Sequence, residues 1–197
     1  MPWAVLATAL ALAETQGDAD RVEQRHIAVA FKRFGFLYPS AIQDHPDLGP
    51  TKEVPLGFSI GPVERTLPPL RVTTINIGCA SCHAGPAYRS DGTPNPETAV
   101  LGRPNAALNL EAFTVEGYAA LKRALSNEDA FDRAMRRLFP DMTLRERLTL
   151  KFIALPAAQR RMAELSDTID RPLPFSNGTS GLTNGVGSLK YQLRVSA

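Results

Sequence analysis

No second pair of cysteines accompanies Cys79 and Cys82, the only two in 197 residues. That excludes a disulfide scaffold beyond a single bridge, and a four-cysteine zinc module. Charge of one sign is not in excess either. The formal net charge of +2 gives no sign of nucleic-acid binding, and membrane association is not evident. No apolar run is long enough to span a bilayer. Internal repeats and low-complexity tracts are absent. What is present is ordinary core material, 44% apolar residues against 21% charged, which argues for a folded chain. Proline is plentiful at sixteen. It is grouped at 39–69, 86–104 and 172–174, and these groups read as irregular loops rather than helices or central strands.

The run WAVLATALALA (3–13) reads as a buried first helix. Its length and small-residue end also suit a signal-peptide core, but no Lys or Arg precedes it. A helix is expected near 19–34, with Val22, His26 and Ala30 on its apolar stripe and Gly35 at its end. Residues 38–74 read as a long ordered loop holding a short hairpin around 57–64 and 70–77, and 85–105 as a second loop. Three helical stretches follow. One lies near 108–125, and one at 127–139 is capped by Ser126. The third starts at Thr143, with Glu146 in a capping-box pattern. Leu144, Leu148, Phe152 and Leu155 form its apolar face, and Pro156 breaks or kinks it. The fold class expected is mainly α with long Pro/Gly-rich loops. As organisation, this gives N-terminal helices over 1–36, attachment loops over 37–105, a helical part over 106–170 and a loop-like tail over 171–197. Together they read as one domain or as a piece of a longer protein.

Both cysteines are spent within GCASCHAGP (78–86), three residues apart, with His83 directly after the second. Cys79-Ala80-Ser81-Cys82-His83 has the spacing of a covalent haem c attachment site. Two thiols must add to two vinyl groups of one porphyrin, so they need to sit about one helical turn apart on one face. The imidazole that follows is then placed as an axial iron ligand. Three other readings stay open, one of them a chance occurrence of this five-residue string. A thioredoxin-like redox pair expects a βαβ setting, of which the sequence gives no sign. A zinc site needs further ligands, and only His26 and His45 could join His83. A haem reading implies one covalent haem c, export, and maturation in the bacterial periplasm.

The string PLGFSIGPVERTLPPLRVTTINIGCASCHAGPAYRSDGTPNPETAVLGRPN (55–105) resembles the larger c-type cytochromes of the di-haem cytochrome c peroxidase type. It is most similar to the branch that includes di-haem oxidoreductases and rubber-oxygenase-like proteins. Pro55-Leu56-Gly57-Phe58, the GCASCHAG segment and TNGVGSLK (183–190) carry the likeness. The resemblance implies a cytochrome c-like haem domain with additional helices, in an electron-transferring, peroxidase-like oxidoreductase. Those families carry two haem sites, whereas this chain has one. A second haem domain or a redox partner protein is therefore the implied neighbour.

The sixth iron ligand decides between electron transfer and catalysis. Met142 and His26 are the candidates for it, and an open position would admit peroxide or dioxygen. In the open case His26, Glu53 or Glu64 is the candidate proton-transfer group. Met135 and Met162 read as core, and His45 as surface. Arg103 is the leading candidate donor to haem propionates, with Arg71, Tyr88 and Arg89 behind it. Pro86 or Pro104 could lend a carbonyl to the second ring nitrogen of His83, and Asn105 reads as a helix cap. Ten Lys/Arg against five Asp/Glu over 121–161 could dock an acidic redox partner.

Overall fold

Alanine and leucine dominate Trp3–Glu14, which is helix α1, buried from Ala4 to Leu12. The computed structural model describes residues 1–51, 53–65 and 70–169, so the expected tail at 171–197 lies outside the described residues. The helix expected near 19–34 is split. A 3-10 turn, Ala19–Arg21, is capped by Asp18, and α2 runs from Gln24 to Arg33. Gly35 ends α2 at φ +84°. A Cβ there would also lie 2.0 Å from the Ala107 carbonyl oxygen, so no other residue fits without distortion.

The expectation of a mainly α chain is corrected. The described residues are about 49% helix and 19% strand, with two small sheets among them, and are mixed α/β. Two strands fall on the short hairpin expected around 57–64 and 70–77, and the others lie in stretches read as loops. Strand β1 is Ala41–Ile42, β2 is Phe58–Arg65 and β3 is Leu70–Ile77. After one helical turn, α3 (Ala80–His83), come β4 (Ala84–Tyr88) and β5 (Pro94–Leu101). β2 pairs with β3, and the other sheet has the order β1-β5-β4. In β3 the run Val72, Thr73, Thr74, Ile75 is β-branched and suits a pleated surface. In β5 the prolines are tolerated for a specific reason. β1 pairs only with Thr98 and Ala99, so Pro94 and Pro96 fall where β5 has no described partner on that side. Opposite them, the β4 ladder shifts register between Pro86 and Ala87.

Three helices follow: α4 (Leu110–Leu125), α5 (Glu128–Leu138) and α6 (Leu144–Thr149). The cap of α5 is Asn127, one residue past the Ser126 expected, and its Oδ1 accepts from the Ala130 N–H at 3.2 Å. α6 runs into a π-helical segment, Leu150–Ala154, and then α7 (Leu155–Ile169). Pro156 accounts for the widening. It has no N–H to offer, and its ring would crowd the carbonyl four residues back. The chain adopts a five-residue bond there instead, from the Leu155 N–H to the Leu150 carbonyl, and continues as helix rather than breaking.

The described residues divide into two units that interleave along the sequence. Unit 1 takes Met1–Ala30, Ser59–Asn76 and residues 115–169. Its core is α1 against α5, with Phe131, Ala134, Met135 and Leu138 buried. Unit 2 takes Phe31–Phe58 and Ile77–Thr114. Its centre is a cluster of rings. Phe31 is fully buried and lies 5.6 Å from Phe36, 5.2 Å from Phe58 and 5.7 Å from Phe113. Phe34 joins through Phe113, at 5.5 Å.

Candidate functional site

The single turn α3 stands on a ledge made by the chain just before β2. Gly57 has φ +87°, and a Cβ on it would sit 2.0 Å from the Ser81 nitrogen. Only glycine lets the two backbones approach this closely. The Gly57 carbonyl accepts from the Gly78 N–H at 2.6 Å, and the buried Ser81 hydroxyl points down to the Leu56 carbonyl at 3.4 Å. Phe58, the next residue, belongs to the ring cluster of unit 2. The aromatic core therefore anchors the ledge directly.

A second clamp comes from Asn105, which is buried. Its Nδ2 donates to the Gly35 carbonyl at 3.0 Å and to the Ser81 carbonyl at 3.4 Å, while its Oδ1 accepts from the Ala107 N–H at 3.2 Å. Its own N–H donates to the Cys82 carbonyl at 2.9 Å. The helix cap expected of it belongs to Asn109, whose Oδ1 accepts from the Ala112 N–H at 2.9 Å. Asn105 instead ties the cysteine turn to the end of α2. Sequence reasoning missed this role because its partners are distant in the chain. A third tie is the Gly102 N–H, which donates to the His83 carbonyl at 2.7 Å.

With Ser81 held inward, Cys79, Cys82 and His83 occupy the other side of the turn. Cys79 and His83 are exposed and Cys82 is half-buried. The thiols are free, and within the turn the Cys82 and His83 N–H groups both donate to the Cys79 carbonyl, at 3.1 and 2.9 Å. Burial pushes the Cys82 thiol above its ordinary range, and the Cys79 charge adds to the shift. The donor chemistry fits covalent haem c: two unpaired thiols a turn apart, both accessible, followed by an exposed imidazole. Among the described residues no three His, Cys, Asp or Glu side chains are gathered as metal donors, so a zinc site is not preformed.

Arg103 belongs to the same unit as the turn. Its guanidinium donates to the Pro86 carbonyl at 3.2 Å and lies 5.2 Å from the centre of the Tyr88 ring. The Pro86 carbonyl, expected as a partner for His83, is thereby engaged elsewhere. Arg89 braces its own turn through Thr93 and Pro94. Arg71 pairs with Glu64 at 3.3 Å, within unit 1.

The two sixth-ligand candidates both belong to unit 1. His26 is in the first turn of α2, and its Nδ1 accepts from the Glu23 N–H at 3.0 Å. It is half-buried and serves the helix start, rather than sitting mid-stripe between Val22 and Ala30 as expected. Met142 is half-buried in the turn between α5 and α6. Met135 is buried in the core, and His45 is exposed. Glu53 is exposed, and Glu64 is taken by Arg71.

No known protein family, curated protein or solved structure matches this chain. The resemblance to di-haem cytochromes therefore stands on the quoted strings alone, and the last of them, 183–190, lies outside the described residues.

Proposed function

We propose that this protein binds one haem c covalently and transfers electrons, as part of a peroxidase-like oxidoreductase of the periplasm. The observation that carries the reading is the placement of Cys79, Cys82 and His83 on the accessible side of one clamped turn. Cys79 and Cys82 would hold the haem by adding their S–H groups across its two vinyl double bonds, sulfur to one carbon and hydrogen to its neighbour, with no oxidant needed. His83 would supply a nitrogen ligand to the iron, and Gly57 and Asn105 hold the turn that presents all three side chains. Arg103 is the donor for a propionate, for which it would have to exchange its bond to Pro86. A bound haem supplies a one-electron iron couple at that turn. A redox partner protein or a second haem domain takes the electron on.

The test is a pyridine haemochrome spectrum with intact mass, on protein exported alongside a haem-attachment system. A c-type spectrum and the added mass of one haem are expected. An unmodified mass in folded, exported protein would sink the reading and leave the cysteines as a redox pair. Carbon monoxide then separates the two haem roles: slow or absent binding fits electron transfer, and ready binding fits catalysis on peroxide or dioxygen.

A further inference from the structure

Leu144, Leu148 and Phe152 recur every fourth residue, which places them in a row on one side of a helix. Read as sequence, such a row faces a core. Here it faces outward. Leu144 is 73% exposed, Leu148 47%, Phe152 65% and Ile153 43%. The buried side of this helix is Thr149 and Leu150, at 5% and 1%. Glu146 fixes the rotation: its carboxylate accepts from the Thr73 hydroxyl at 3.0 Å and from the Thr73 N–H at 3.4 Å, holding that side against β3. The capping box expected of Glu146 is thus only half made. Thr143 caps the Glu146 N–H at 3.3 Å, but the Glu146 side chain goes to β3. The π segment inserts one extra residue per turn and brings Ile153 out beside Phe152.

The charges along this row are of one sign. Glu146 is the only acid from Leu144 to Ala154, and it is turned to Thr73. Arg145 and Lys151 are exposed, with the Lys151 ammonium 5.9 Å from the Phe152 ring centre. Arg147 is half-buried and leans on the Pro140 carbonyl at 3.5 Å. From Leu144 to Ala154 the exposed face therefore offers protruding apolar side chains with cations beside them, and the one carboxylate of the segment is bound to Thr73.

We propose that this face docks on an anionic lipid surface. Leu144, Leu148, Phe152 and Ile153 enter the boundary between headgroups and acyl chains, and Arg145 and Lys151 meet lipid phosphates. The charge of the row is complementary to such a surface, and its apolar side chains are largely exposed, as insertion requires. No helix among the described residues is long and apolar enough to cross a membrane, so the contact is interfacial. This inference does not depend on the haem reading.

Cosedimentation of the full chain tests it, with vesicles of phosphatidylglycerol mixed into phosphatidylcholine and with phosphatidylcholine alone. Binding to the anionic vesicles and little to the neutral ones is expected. Phe152→Ser and Leu148→Ser should each lower binding about tenfold or more. Arg145→Gln and Lys151→Gln should each lower it about fivefold. Circular dichroism of each variant checks that the helix is intact. Absence of binding to either vesicle would overturn the proposal, as would equal binding to both. A concentration-dependent dimer in light scattering, abolished by Phe152→Ser, would overturn it too and give the face to a second copy of the chain.

Discussion

Unit 2 is centred on phenylalanine rings gathered from three separate segments, at Phe31 to Phe36, at Phe58 and at Phe113. Unit 1 is centred on alanine and leucine carried by helices, with Ala7, Ala11, Ala130 and Ala134 buried between or beside α1 and α5. The difference follows from what each has to hold. Alanine lets two helices approach closely along their length, and regular backbone supplies the hydrogen bonds. A single-turn helix between short strands has little regular backbone. Large rings can bury much area at a point where several such segments meet. The cysteine turn sits on that kind of support, next to Phe58.

The largest effect that would sharpen this comparison is on chemistry, not stability. On the proposed haem function, replacing Cys79 and Cys82 together by Ala should abolish covalent haem in the mass spectrum while the helical circular dichroism persists, because neither thiol is buried in the core. Next comes Phe31→Ala. It should cost about 3–5 kcal/mol in denaturant unfolding, since the ring is fully buried among three others. A cost under about 1 kcal/mol would break the argument that rings anchor unit 2. Within unit 1, Leu150→Ala should cost about 2–5 kcal/mol, whereas the exposed Leu148→Ala should stay within about 0.5 kcal/mol. Equal costs would mean that the outward row is buried in solution.

Asn105→Ala should cost about 1–3 kcal/mol and speed hydrogen exchange at the cysteine turn, because the Ala107 N–H and the Gly35 and Ser81 carbonyls lose a partner. The smallest effect concerns pH. Cys82 in the haem-free protein holds its proton to higher pH than a free thiol, chiefly through burial. Its alkylation should therefore need more alkaline conditions than that of an unfolded thiol. Cys79→Ser should bring the required pH down only in part, since burial remains. The linked stability has the matching sign. It is present below the unfolded thiol's pKa and is lost as pH rises through the folded one.

Helix positions were largely legible, α1 as a continuous apolar run and α4, α5 and the start of α6 from apolar spacing, although α4 and α5 are capped by Asn109 and Asn127 rather than by Asn105 and Ser126. β2 and β3 fall on the segments around 57–64 and 70–77 that Pro and Gly punctuation marked as a short hairpin. β4 and β5 were not, because a proline can sit in a strand wherever no neighbour needs its N–H, and neighbours are a tertiary fact. The mixed class was lost with them. The stripe of Leu144, Leu148 and Phe152 shows the same limit, because its periodicity is real but its direction is opposite to the one assumed.

By itself, the order of residues determined the spacing of Cys79, Cys82 and His83, which any helical turn places on one face. It also determined the positive-φ glycines at Gly35 and Gly57, where a side chain would strain the backbone. Tertiary structure decided which way each face points. Glu146 reaching Thr73 turns the Leu144 row outward, and Ser81 reaching Leu56 turns the cysteines outward. Rotation about a helix axis changes no local hydrogen bond, so only contacts with distant segments can set it.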